Sequence, residues 1–292
     1  MTSILTNPSA MSALQTLRTI NMNLATTQDR VSSGEKVGKA ADNVAYWSIS
    51  TTMNSDNKAL GAATDALGVG AAKVDTAYAA MDSAIDVVNE IKAKLTTASE
   101  TSVDKDQVQL EITKLQEQLT AIGQAASFNG ENWAVQASGS TTTVVDGFIR
   151  DSAGAVKVTT ATFDAGTYAM FSAISSGVGT GGVLGSLMSV KLESNSTQGE
   201  IDAFLTTVQG ALDKLTDGAA ALGALSSRID MQDDYSAKLS DAIEAGVSRL
   251  VDADMEEESA RLSALQTQQQ LAVQSLSIAN SSSQNIMSLF RG

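Results

Sequence analysis

Residues 262–290 read LSALQTQQQLAVQSLSIANSSSQNIMSLF, a long run without one charged side chain. Leu262, Leu265, Gln269, Ala272, Leu276, Ala279, Ser283, Ile286 and Phe290 recur alternately three and four residues apart. That spacing draws one seam down one face of a helix, as in a coiled coil. Residues 10–31, AMSALQTLRTINMNLATTQDRV, show the same signature at Ala10, Leu14, Leu17, Asn21, Leu24, Gln28 and Val31. Both seams are broken by polar and small residues, so neither makes a stable helix alone and each needs a partner. Two marginal stripes at opposite ends of one chain suit pairing with each other and with copies from neighbouring molecules. Two helices of an ordinary bundle would leave the same pattern.

Inward from the ends, the periodic runs lengthen. Val74, Tyr78, Met81, Ile85, Val88 and Leu95 mark one face of a helix over about 44–100. Val108, Ile112, Leu115, Leu119 and Ile122 predict a second over about 104–127, with Asp104 as its N-cap. Ile201, Leu205, Val208, Leu212 and Leu215, then Leu222 to Leu250, predict helix over about 198–254, with a fault near Gly218 or Gly223. Residues 128–195 differ. Short apolar–polar alternations at Val144–Ile149, Val156–Thr160 and Tyr168–Ile174 are separated by Gly, Asp and Ser clusters, the signature of strands and turns. The sequence therefore predicts a mainly α chain: an elongated coiled coil or bundle formed by the N- and C-terminal segments, with a small β-rich insert in the middle.

Composition narrows the chemistry. The 292 residues contain no Cys and no His. No disulfide framework or thiolate nucleophile is possible, and the commonest general base and metal ligand is missing. One proline, Pro8, leaves almost nothing to break long helices. The net charge of −14 is unevenly spread: residues 1–40 and 259–292 together carry +4, and 41–258 carry −18. Such a chain suits neither nucleic acid nor an anionic membrane surface, both of which select Lys and Arg clusters. The N-terminus lacks the basic and apolar regions of a cleaved leader, and no run approaches the length of a membrane span. This reads as cytoplasmic, or as exported by a route that needs no cleaved leader.

Few groupings carry chemistry. Gly177-Val178-Gly179-Thr180-Gly181-Gly182, with Glu200 downstream, fits the letter of a dinucleotide fingerprint, but no βαβ unit surrounds it and a flexible glycine loop is the plainer reading. Asp252-Ala253-Asp254-Met255-Glu256-Glu257-Glu258 resembles a calcium loop but has Glu257 where a glycine is needed. Carboxylates opening the next helix account for it. Asn195-Ser196-Thr197 fits a glycosylation sequon, a pattern common by chance. Trp47 and Trp133 read as core or interface residues. The expectation is a protein that is not an enzyme and holds no cofactor or metal.

Several stretches, taken in order, resemble one family. They are Met1–Leu14, Gln28–Val37 with Ala40–Ala45, Phe128-Asn129-Gly130, Ser248–Asp254, and Ala279–Arg291. Together these resemble the bacterial flagellins, in wording closest to the rhizobial, alphaproteobacterial ones. The resemblance implies a structural subunit that self-assembles into the extracellular flagellar filament for swimming. A hook-associated or junction protein of the same axial structure is the alternative. It further implies an inner-tube coiled coil from 1–40 with 255–292, an outer-tube helical region from 41–133 with 195–254, and a surface-exposed insert at 134–194. Leu14, Leu17, Asn21, Leu24, Val31, Leu262, Leu265, Leu276, Ile286 and Phe290 are then subunit-interface residues. The implied partners are further copies, sibling flagellins, the flagellar type III export machinery, the filament cap and hook-associated proteins, with no nucleic acid and no membrane. Finally, Glu90 stands where the family often carries an Arg read by vertebrate innate-immune receptors, and Glu35–Lys39 with Tyr46-Trp47 alter the segment read by plants. Weak recognition by both receptor types is expected.

Overall fold

The computed structural model describes residues 7–151, 154–175 and 177–289, with backbone alone for 282–289. The elements, in order, are helices α1 (Pro8–Ser33), α2 (Val44–Ala98) and α3 (Lys105–Ala125), then strands β1 (Ser127–Phe128), β2 (Glu131–Asn132), β3 (Thr142–Arg150) and β4 (Val156–Phe163). A short α4 (Ala165–Tyr168), strands β5 (Ala173–Ser175) and β6 (Val178–Thr180), and the long helices α5 (Gln198–Val251) and α6 (Met255–Leu289) complete the chain. The contacts divide it into two compact units, Met1–Ser55 with Asp241–Gly292, and Asp56–Ser240.

In the first unit α1 pairs with α6. Pro8 opens α1 at a position where its missing N–H costs nothing. The Asn7 side chain caps the helix by accepting from the Ala10 N–H at 3.1 Å. Gly34, at φ 77°, ends it in the left-handed conformation that only glycine adopts freely, and its N–H donates to the Arg30 carbonyl. Beyond Gly34 the two arms of the chain are tied. Glu35 bridges Asp252 in antiparallel fashion, the Lys36 N–H donates to the Val251 carbonyl at 2.7 Å, and the Ala253 N–H donates to the Gly34 carbonyl at 2.8 Å. Asp254 then caps α6, accepting from the N–H groups of Glu256 and Glu257.

The second unit is built on α3 and the parts of α2 and α5 that lie in it. Val88, Ile91 and Leu95 of α2, Ile112 and Leu119 of α3, and Ile201, Val208 and Leu215 of α5 are buried in one core. That core also takes Phe171, Leu184 and Leu187 from the irregular chain after α4. Buried Gln116 fastens this chain, its amide donating to the carbonyls of Leu187 and Val190. A second core gathers Leu67, Val74, Met81, Val144, Phe163, Leu222 and Ile229 around Trp133. Trp133, Phe163 and Tyr168 form a continuous stack with ring centroids 5.8 and 5.9 Å apart. The β-structure is three separate two-stranded antiparallel ladders, the largest β3–β4, which is fixed by ion pairs from Arg150 to Asp56 and from Arg228 to Asp146.

Two expectations are corrected. Helix α5 runs without a fault through Gly218 and Gly223. Gly218 serves packing instead, since a Cβ there would stand 3.1 Å from both Met81 Sδ and Tyr168 Cβ. The segment Tyr168–Ile174 is not one strand: Tyr168 closes a helical turn capped by Asp164, Phe171 makes an isolated bridge to Val135, and only Ala173 starts β5.

Candidate assembly surface on the terminal helices

The sequence of α6 sets its inward face. Leu265 is buried, and Leu262, Gln269, Ala272, Leu276 and Ala279 are half-buried. The sequence of α1 sets a face turned slightly from the one expected. Ile20 and Thr27 are buried, while Ala10, Ala13, Leu17, Leu24 and Val31 are half-buried. Leu14 is 38% exposed, and Asn21 and Gln28 are exposed beside the seam. Ile286 lies among the residues whose side chains are not described, and Phe290 lies outside the described residues.

Among the described residues, three polar ties cross from α1 and its N-cap to α6. Asn7 Nδ2 donates to the Ala279 carbonyl at 2.9 Å, Gln269 Nε2 donates to Asn21 Oδ1 at 2.7 Å, and Arg30 Nη1 donates to Glu258 Oε1 at 2.9 Å. The Glu258 side chain is 8% exposed, and Arg261 lies 3.7 Å from its Oε1. Buried charge is tolerated only when paired, so Arg30 is required where Glu258 is buried. These pairings were missed from the sequence, because residues more than 200 positions apart leave no local sign of meeting.

The outer faces of both helices mix neutral polar residues with exposed apolar ones, and over 8–28 and 262–281 the one charge is Arg18. Met11, Met22, Leu271, Val273 and Ile278 are each more than half exposed. Between the helices runs an open groove of about 980 Å³ lined by neutral residues alone, among them Ser12, Thr16, Ile20, Leu271 and Ser275. The first turns of α2 also expose Val44, Tyr46, Trp47 and Ile49. Exposed apolar side chains on helix faces poor in charge are open to a partner's apolar surface.

The remaining candidates are placed as follows. Glu90 Oε1 sits 3.5 Å from Lys94 Nζ, which also meets Glu111 Oε2 at 2.8 Å. The hydrogen bond and charge of Glu111, helped by Glu90, hold the Lys94 ammonium above its ordinary pKa. In the second unit, hydrogen bonding and charge from Lys73 hold the Glu131 carboxyl below the ordinary glutamate value. Gly177–Gly182 holds strand β6, paired antiparallel with β5, flanked by Gly177, Gly181 and Gly182 at positive φ, and is not a strand-to-helix phosphate loop. Within the 252–258 cluster, Asp254 caps α6 and Glu258 pairs with Arg30. Among the described residues no three Asp or Glu are grouped to hold a metal ion, and no helix is long and apolar enough to cross a membrane.

Comparison with known proteins gives concordant results. The family model described as the bacterial flagellin N-terminal helical region matches residues 4–137, and that for the C-terminal helical region matches 205–290. Flagellin C of Rhizobium meliloti (strain 1021) is 48% identical, Flagellin A of the same strain 44%, and a flagellin of Brucella melitensis biotype 1 46%. Each alignment covers 100% of both chains.

Proposed function

The chain belongs to the bacterial flagellin family, and from that premise we propose that its paired terminal helices are the surface on which copies stack. Membership gives the role: it is a structural subunit of the flagellar filament, an extracellular helical polymer, and the family is a structural one. Full-length relatives named flagellin leave the hook-associated alternative without support.

In the proposed arrangement residues 1–40 and 255–292 form the inner wall of the filament and 41–133 with 195–254 the outer wall. Residues 134–194 face solvent; neither family model extends over 138–204, which suits a variable surface insert. Leu14, Leu17, Asn21, Leu24 and Val31, with Leu262, Leu265, Leu276, Ile286 and Phe290, contribute to burial between and within copies. The observation that carries this reading is the set of exposed apolar side chains Met11, Met22, Leu271, Val273 and Ile278 on α1 and α6, over stretches 8–28 and 262–281 whose one charge is Arg18. A filament grows from heterologous contacts that do not close, and neutral faces meet without like-charge repulsion. Export through the flagellar type III route, capping, joining to hook-associated proteins and mixing with sibling flagellins complete the proposed set of partners. The acidic Glu90, paired with Lys94, goes with weak recognition by receptors that read a basic residue there; strong activation by purified monomer would count against that.

The test is seeded growth. Purified full-length chain with filament fragments is expected to give long filaments by electron microscopy, and chains lacking 1–40 or 255–292 are expected to give none. A full-length chain that stays monomeric with active seeds, or a truncated one that builds normal fibres, overturns the reading.

A further inference from the structure

We propose that Asn21–Gln269 and Arg30–Glu258 form a two-point key that fixes the register of α1 against α6 and so decides which chains can enter the filament. The inference rests on the filament reading for why register matters, and on the first unit's geometry for how it is set.

The apolar seam alone does not choose a register; the backbone bonds Ala253–Gly34 and Lys36–Val251 hold one at the loop end and Asn7–Ala279 at the other, and the key holds it along the helices between them. Facing residues follow from the ties: Asn21 lies against Gln269 and Arg30 against Glu258, so the two helices run antiparallel and Leu17 lies opposite Ala272. A slip of one heptad places Leu17 opposite Leu265 or Ala279, both equally acceptable to an apolar seam. Such a slip moves one helix along the other by about 10 Å. Seams of small and aliphatic residues tolerate slips of this kind, and a polar residue within the seam is what forbids them.

The polar groups respond differently. Slipped one way, Asn21 faces Leu276; slipped the other, it faces Leu262, and Gln269 faces Leu14. One slip lets Gln269 reach Gln28 instead, so the amide pair alone is an incomplete key. The ion pair closes that gap. In either slip Arg30 leaves Glu258, whose 8% exposed carboxylate exchanges a hydrogen-bonded guanidinium at 2.9 Å for the looser Arg261 of its own helix at 3.7 Å, and weakening the pairing of a buried charge is disfavoured. Asn21 is exposed in the single chain, so the amide bond is weak there. Covered by a neighbouring copy, an unmatched amide would carry its full desolvation penalty, and the key would discriminate most when the chain docks.

The chain contains no cysteine, which allows a direct readout. Paired cysteines at L17C/A272C report the native register, and L17C/L265C and L17C/A279C report the two slips. Each pair is placed in the otherwise native chain and in the N21L/Q269L/R30M/E258M variant, whose seam stays apolar and helical. Filaments are grown from seeds, oxidised, and scored for cross-links within one chain. Native chains are expected to cross-link at L17C/A272C over the slipped pairs by roughly tenfold or more. The apolar variant, still anchored by the backbone bonds at Gly34 and Lys36, is expected to show that preference reduced by at least about threefold and to extend seeds at least roughly tenfold more slowly. The exchanged variant N21Q/Q269N, with Arg30 and Glu258 intact, is expected to keep the native register. Native-only cross-linking and normal growth of the apolar variant overturn the key, as does slippage in the exchanged variant. Failure of the native chain to extend seeds at all would instead overturn the filament reading.

Discussion

Gly70 and Gly68 stand two residues apart on α2, and the packing of the β3–β4 hairpin makes opposite demands on them. A Cβ at Gly70 would lie 2.0 Å from Val144 Cγ1 and 3.2 and 3.3 Å from Val144 Cβ and Cγ2. A Cβ at exposed Gly68 would meet nothing within 4 Å. Alanine in a helix interior is favoured over glycine by about 1 kcal/mol. Gly68→Ala should therefore stabilise the second unit by up to about 1 kcal/mol. Gly70→Ala gains the same propensity and must also push Val144 away by about 1.5 Å to reach an ordinary carbon–carbon contact. Val144 is 4% exposed and β-branched, so it has no alternative rotamer to retreat into. Overpacking of this kind costs about 1–3 kcal/mol, which exceeds the propensity gain at its upper end. The two variants should thus differ by the overpacking cost alone, about 1–3 kcal/mol, or about 2–12 °C in the melting of a unit this size. Trp133, stacked on Phe163 in the same core as Val144, reports the loss by fluorescence once Trp47 is replaced by Phe. Adding Val144→Ala to Gly70→Ala should recover part of the loss. A Gly70→Ala variant that melts with or above Gly68→Ala, with unchanged Trp133 emission, refutes the packing of Val144 into the gap at Gly70.

Other outcomes follow from single contacts. Glu258→Ala removes the carboxylate that Arg30 holds at 2.9 Å, and should weaken the tie between α1 and α6 by about 1–3 kcal/mol, since Arg30 is partly open to water; faster hydrogen exchange at the Gly34 and Ala253 amides is the measurement. On α5, Gly218→Ala must displace Met81 Sδ and Tyr168 Cβ and should yield no gain, while Gly223→Ala meets nothing and should stabilise by about 0.5–1 kcal/mol in urea unfolding. The depressed pKa of Glu131 implies stability that is present above the ordinary glutamate range and is lost as pH falls through the folded value. Lys73→Met should abolish that part of the acid-side dependence and leave the profile near neutrality flat, read from urea midpoints between pH 3 and pH 7, on the order of the carboxylate range.

The C-terminal seam was legible in full over the described side chains because its alternatives are poor. Every position flanking Leu262, Leu265, Ala272 and Leu276 on the wrong side is Gln, Ser or Thr, or an exposed residue such as Leu271. The N-terminal seam was legible only to within one residue. Spacings of four then three select Leu14, Asn21 and Gln28; spacings of three then four select Ala13, Ile20 and Thr27. Both sets share Ala10, Leu17, Leu24 and Val31, and hydrophobicity divides between them: Leu14 outranks Ala13, while Ile20 outranks Asn21 and Thr27 outranks Gln28. The structure takes Ala13, Ile20 and Thr27 instead, with Leu14 left 38% exposed. The fault expected in α5 failed for a related reason. A glycine lowers helix propensity by about 1 kcal/mol, less than the burial of Leu215, Leu222 and Leu225 around it provides. The Glu35–Asp252 bridge and the Arg30–Glu258 pair join partners too far apart in sequence for any periodicity to show.

The terminal helices pose a problem that the rest of the chain does not. Exposed Met11, Met22, Leu271, Val273 and Ile278, without a charged coat, would favour adhesion to almost any apolar surface. A polymer subunit needs that adhesion to be selective. Charge repulsion is not available as the filter, because residues 262–290 carry none and 8–28 carry only Arg18. Selectivity must then come from shape and from polar groups that tolerate a single arrangement, which is the position of Gln269 within an otherwise apolar seam and of Glu258 buried beside Arg30. The acid-rich stretch 41–258, at −18, adds a long-range repulsion that opposes non-specific association of unassembled chains.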